Sequence, residues 1–170
     1  LTMQALLVWD ESSGLPSMRG KIDLIYIDPP FDSKADYRTK IILPGTEFES
    51  KPTVLEQTAY SDIRKDGTAS YLAYMYPRLA LMRELLSETG SIYVHIDWHV
   101  GHYVKIMLDE IFGKENLKNE IIRHYKRWTA SSSNFQKMHD TIFWYEKNID
   151  KWVYNKQYQW FSEKTSIAKF

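Results

Sequence analysis

Hydrophobic positions along this chain fall into segments of two kinds. Residues 22–27 are apolar at nearly every position, the pattern of a short strand buried on both faces of an α/β sheet. The run stops at Asp28-Pro29-Pro30-Phe31, where two prolines cannot continue a strand ladder and the chain must turn. Over residues 69–88, Leu72, Met75, Tyr76, Leu79, Met82, Leu85 and Leu86 recur at helical spacing and predict a core-facing helix. Asp66, Thr68 or Ser70 is placed to cap it, Gly90 to end it, and Pro77 to kink it or mark its true start. Residues 91–97 read as a second buried strand, and residues 100–112 as a helix closed by Gly113. Two more strands are expected at 119–125 and 141–146, joined through a polar linker, 129–134. Strands alternating with helices predict an α/β fold with a mostly parallel sheet. Ligands of such sheets bind beyond the carboxyl ends of the strands. Asp28 and Asp97 both stand at such ends.

The remaining stretches are less regular. Residues 1–8 read as a helix, and the chain has no methionine at its start, so a piece of a longer protein is expected. Residues 32–67 are polar and broken by Pro44, Gly45, Pro52 and Gly67, with a short extended piece at 37–43. A connection of that length is usually functional. Beyond Lys147 the chain holds Trp152, Tyr154, Tyr158, Trp160 and Phe161 without a clean period, too aromatic for a disordered tail. The expected division is therefore 1–148, carrying the motifs below, and 149–170, the start of a further element.

Charge changes this picture only locally. Lys plus Arg and Asp plus Glu number 22 each, so no overall basic character points to nucleic acid. Lys114, Lys118, Arg123, Lys126, Arg127 and Lys137 nevertheless form a basic stretch, and Lys34, Arg38 and Lys40 a smaller group. Each is either a phosphate-contacting surface or simply a solvated face. Trp128 sits beside Lys126 and Arg127 at the start of the polar linker, an arrangement suited to nucleic-acid contact. Trp98, Trp144, Trp152 and Trp160 are expected in core or interface. The absence of cysteine excludes disulfides, thiolate metal sites and a thiolate nucleophile, and with the last, methylation at the 5-position of cytosine. No apolar run nears the roughly 20 residues that span a bilayer. His95, Asp97, His99 and His102 suggest a metal cluster, but no metal site is expected, and helix capping is the favoured role for Asp97.

The residues that carry chemistry are Asp28 to Phe31. An exocyclic amine conjugated to its ring is a poor nucleophile. Two acceptors on its hydrogens favour a more tetrahedral nitrogen with an available lone pair. A carboxylate and a backbone carbonyl held side by side supply both. Prolines stiffen that backbone and leave no amide hydrogen to compete. An adjacent aromatic ring can stack on an extruded base, worth about 1–3 kcal/mol.

The chain resembles amino-methyltransferases of the beta arrangement, most closely the modification subunits of type III restriction systems and related adenine-specific methylases. The family's motif, Asp-Pro-Pro followed by Tyr, Phe or Trp, is met by Asp28, Pro29, Pro30 and Phe31. Tyr76-Pro77-Arg78-Leu79, Gly90-Ser91-Ile92-Tyr93-Val94-His95-Ile96-Asp97, Asn119-Glu120-Ile121-Ile122 and His139-Asp140-Thr141-Ile142 resemble further segments of those proteins, in the same order. The resemblance implies a Rossmann-like methyltransferase sheet, incomplete in this stretch, mostly parallel with an antiparallel strand pair near the C-terminal end. It also implies that Asp28 and the carbonyl of Pro29 accept the two amino hydrogens of adenine, that Phe31 stacks on the flipped base, and that the amine attacks S-adenosylmethionine directly. Asp28 and Asp97 are the candidate donor contacts.

An acidic first residue favours adenine, whereas cytosine-N4 enzymes more often carry Ser and the RNA or protein-glutamine enzymes Asn. The family places a glycine-rich donor motif downstream of these segments, and this chain contains no aromatic-x-Gly-x-Gly pattern. Weak or no donor binding by this polypeptide alone is therefore expected. The implied partners are double-stranded DNA, a restriction subunit and a second copy of the chain, in a bacterial or archaeal cytoplasm and away from any membrane. Two alternatives stay open: cytosine-N4 methylation, and a nucleic-acid-binding or assembly module that keeps the pocket without catalysis.

Overall fold

The computed structural model describes residues 2–8, 14, 16–29, 39–43, 46–50, 67–126, 133, 135–151 and 153–156, with backbone alone at 39–43 and 46–50. Helix α1 (Thr2–Leu7) leads to strand β1 (Ile22–Ile27). A hairpin of β2 (Thr39–Leu43) and β3 (Thr46–Ser50) follows, with Leu43 opposite Thr46. The extended piece expected near 37–43 is thus one arm of a hairpin, and the two residues between the arms, Pro44 and Gly45, are turn formers. Then come α2 (Thr68–Leu85), β4 (Leu86–Asp97), α3 (Gly101–Phe112), a 3-10 turn (Lys114–Asn116), β5 (Leu117–His124) and β6 (His139–Glu146).

The main sheet has the order β1-β4-β6-β5. β1 is parallel to β4, while β6 is antiparallel to both β4 and β5. β1, β4 and β5 therefore share one direction, and β6 is slotted between two of them against the grain. This corrects the expected mostly parallel sheet: among the described strands of the main sheet one ladder is parallel and two are antiparallel. The antiparallel β5–β6 pair lies at the C-terminal end, as anticipated.

Side chains alternate across this sheet. One face carries Ile92, Val94 and Ile96 from β4 beside Phe143 and Tyr145 from β6, all buried, with Ile25 and Ile27 of β1 packed on the same cluster. The helices supply Tyr71, Met75, Leu79, Val104, Leu108 and Phe112 to this core. Tyr145 also donates its hydroxyl to Asp109 of α3 at 2.5 Å, tying helix to sheet. The helical stripe is core as expected except at Tyr76, which is exposed and donates to Glu110 of α3 instead. Pro77 sits inside α2 without ending it. Gly67, at φ 67°, precedes that helix, and no side chain caps it.

The opposite face differs from its sequence pattern. Leu24 and Tyr26 of β1 are 62% and 57% exposed, so β1 is partly buried on one face and open on the other, not buried on two. Gly90 does not end a helix either, because α2 stops at Leu85 and β4 begins at once. It lies where the β1–β4 register shifts, between Ile22 opposite Leu86 and Leu24 opposite Ser91. A Cβ there would meet the Ile22 carbonyl at 2.9 Å and the Ser87 carbonyl at 3.1 Å. Both are backbone atoms that cannot swing aside. Gly90→Ala is accordingly expected to destabilise the fold by about 1–3 kcal/mol, read as a lower midpoint in denaturant with an unchanged slope. An unchanged midpoint would show that the bulge yields.

Candidate active site at the carboxyl edge of the sheet

Five acidic and basic positions meet where β1, β4 and β5 end and β6 begins. The register sets Ile27 beside Val94, so the next residue of each strand, Asp28 and His95, are neighbours. Across the sheet Asp97 faces Asp140, and Asp140 faces Arg123. By strand alternation these side chains belong to the face away from the helices, the one on which Leu24 and Tyr26 are exposed.

Asp28 leaves the end of β1 with its side chain 53% exposed. Behind it stands His95, which is buried. His95 Nδ1 is 3.4 Å from Asp28 Oδ1 and 3.3 Å from the Tyr26 hydroxyl. Its other nitrogen, Nε2, is 3.4 Å from Asp140 Oδ2. Asp140 is itself buried and takes Arg123 Nη1 at 3.1 Å on the same oxygen. The carboxylate predicted to accept an amine is thus open to solvent on one side and backed on the other by a linked series of polar groups. A buried acid needs such partners, since an unpaired buried charge is costly.

Asp97 is placed differently from expectation. It caps no helix: the residue before α3 is Val100, which has no side-chain cap. Instead Asp97 Oδ1 accepts the backbone N–H of His99 at 3.1 Å, and Oδ2 pairs with the His99 ring. It closes a tight turn from β4 into α3, the local hydrogen bonding that aspartate favours. Trp98, in the same turn, stacks on His99 and receives Lys137 over its ring at 3.4 Å. Among the described residues no His, Asp and Glu group is arranged to hold a metal ion.

Other sequence candidates divide as follows. Pro29 follows Asp28 and is half-buried. Pro30 and Phe31 lie outside the described residues, as do Arg127 and Trp128. Lys126 is exposed just beyond β5. The basic stretch is partly committed inside the protein, because Lys118 pairs with Glu146 and Arg123 with Asp140. The set of His95, Asp140 and Arg123 is not visible in the sequence, where His95 suggests only a metal ligand and nothing in the linear spacing joins it to residues 28 or 140. Asp23, at the opposite end of β1, lines a separate hollow with Leu24, Tyr93, Trp144 and Tyr154. No helix among the described residues is long and apolar enough to cross a membrane.

Known proteins match this sequence. A family model described as DNA methylase matches residues 22–167. The type II methyltransferase M.EcaI of Enterobacter cloacae is 36% identical over 137 residues, covering 80% of this chain and 26% of the relative. The Mod subunit of the type III restriction-modification enzyme EcoP15I of Escherichia coli is 30% identical over 151 residues, 79% of this chain and 23% of the relative. The corresponding EcoPI subunit of Escherichia phage P1 is 31% identical over 143 residues, 76% and 22%. The chain spans about a quarter of the length of these curated relatives. With a strand-end Asp-Pro pair in place and the family match running from β1 past β6, the chain belongs to the DNA methylases of the N6/N4 type.

Proposed function

We propose that this chain carries the base-accepting part of a DNA adenine-N6 methyltransferase. The observation that carries the reading is the Asp28 carboxylate, exposed at the end of β1 and next in sequence to the carbonyl of Pro29. Asp28 and that carbonyl accept the two hydrogens of the adenine amine, which frees the nitrogen lone pair for attack. Phe31 stacks on the flipped base, whose extrusion costs a few kcal/mol. S-adenosylmethionine, when bound, supplies an electrophilic methyl group on a sulfonium that departs as a neutral thioether. An exposed carboxylate at the strand end fits a cationic donor nearby. Asp97 fits less readily, since both its oxygens are engaged by His99. The amine proton released on transfer passes to solvent by way of the open side of Asp28.

The acidic first residue of the motif, Asp28, favours adenine over cytosine, and the place of similar Mod subunits in type III restriction-modification enzymes makes a restriction subunit the natural partner. Double-stranded DNA contact is assigned to Lys126, Arg127 and Trp128, with residues 149–170 leading toward the part that reads the DNA site. The test is product analysis. The full chain, with whatever sequence flanks it in its reading frame, is incubated with DNA and S-adenosylmethionine, and the DNA is digested to nucleosides. N6-methyladenine is expected. N4-methylcytosine would move the reading to the other amine, and DNA binding with neither product would favour the non-catalytic module.

A further inference from the structure

We propose that His95 is a positioning residue that holds the Asp28 carboxylate at the angle the amine requires, anchored in turn by Asp140 and Arg123. This rests on the reading of Asp28 as an amine acceptor. A carboxylate at the end of a strand, 53% exposed, would otherwise rotate freely about its side-chain bonds. Acceptors in a working site must be held within about 0.5 Å and 10–20° of the productive geometry. The only buried side chain that the described contacts place against Asp28 is His95, with Nδ1 3.4 Å from Oδ1. His95 is in turn fixed from its far side by Asp140, 3.4 Å from Nε2, and Asp140 by Arg123 at 3.1 Å.

The ring is therefore held between two acids. With a hydrogen on each ring nitrogen the imidazole donates from Nδ1 to Asp28 and from Nε2 to Asp140, and Arg123 shares the charge of Asp140. The Tyr26 hydroxyl, 3.3 Å from the same nitrogen, is the competing partner. These contacts are looser than the roughly 2.7–2.9 Å of a charge-assisted bond, as acid–base partners commonly are before substrate tightens them.

Two substitutions separate the two ring nitrogens. The amide nitrogen of asparagine reaches about as far as Nδ1, and that of glutamine about as far as Nε2. In single-turnover methylation by the full chain and its flanking sequence, His95→Ala is expected to slow the rate constant about 10²-fold, with KM for DNA little changed. His95→Asn should recover about tenfold of that loss and His95→Gln should not. A purely structural role would lower the active fraction, seen as amplitude, and leave the rate constant alone. It would also not distinguish Asn from Gln. Equal rates for the two variants, or an unchanged rate constant in His95→Ala, would overturn the proposal. Should the alanine variant not fold, the Asn and Gln pair carries the test.

Apart from turnover, the imidazole 15N resonances of His95 should move on Asp28→Asn, and unmoved resonances count against the contact. Asp28→Ala in the same assay keeps the two ideas apart. If it still methylates, the acceptor reading falls and this proposal with it. If it is inactive while the His95 variants match the unmodified rate, only the role of His95 falls.

Discussion

Replacing Asp28 with alanine is expected to lower methylation by about 10²–10³-fold while leaving DNA binding intact. The size follows from what is removed. One preorganised acceptor at the reacting nitrogen disappears, and the neighbouring carbonyl cannot hold both amine hydrogens alone. The side chain is half exposed and, among the described contacts, touches only His95 in the interior, so the fold should suffer little. Asp28→Asn tests the chemistry more narrowly. It keeps the shape and one acceptor oxygen but removes the charge. Its rate should fall less far than that of the alanine variant. Full activity of Asp28→Ala, with a normal unfolding midpoint, would remove the acceptor role. Loss of DNA binding together with activity would point instead to a surface contact.

The second large effect concerns stability. Glu146 closes β6 and has no exposed surface, and Lys118 Nζ stands 3.0 Å from its carboxylate. Burial raises the pKa of Glu146 above the ordinary carboxylate value, and Lys118 pulls it back only in part. Lys118→Met removes that offset and leaves an acid enclosed without its cation. Breaking one side of such a pair costs about 3–5 kcal/mol, less where solvent reaches the partner. Lys118 is 20% exposed, which sets the expectation near the lower end, about 3 kcal/mol at neutral pH.

The sign of the pH dependence follows from linkage. An acid whose pKa is higher in the folded protein holds its proton longer when folded. Its contribution to stability is therefore greatest below the ordinary carboxylate value and is lost as pH rises through the folded value. Lys118→Met pushes the folded value higher still, so its deficit should grow with pH across that window and shrink in acid. Denaturant midpoints measured from acid to neutral pH check this. A deficit that does not vary with pH would mean that Lys118 contributes packing and not charge. Glu146→Gln in the Lys118→Met background should recover part of the loss, because it removes the charge left without a partner.

Local patterns were enough for much of this molecule. The Asp-Pro-Pro break, the helix over Thr68–Leu85, the helix closed by Gly113 and the strands at Leu117–His124 and His139–Glu146 are all legible from spacing, propensity and turn chemistry, to within a few residues at each end. The core face was legible too, since Ile92, Val94 and Ile96 alternate with polar or aromatic neighbours. The acid that carries the proposed chemistry stands in a motif four residues long, read directly.

What the tertiary structure alone decided is which strands lie side by side. A strand's own residues do not say whether its neighbour runs with it or against it, so β6 between β4 and β5 could not be read from either. Nor does an apolar run reveal whether both of its faces are covered, as the exposed Leu24 and Tyr26 illustrate. The backing of Asp28 depends on the same pairings. Asp28, His95, Arg123 and Asp140 are separated by 112 positions from first to last, and only the ladder registers bring them together. A side chain's local sequence settles what it can donate or accept; the partner that receives it is settled by how the strands align.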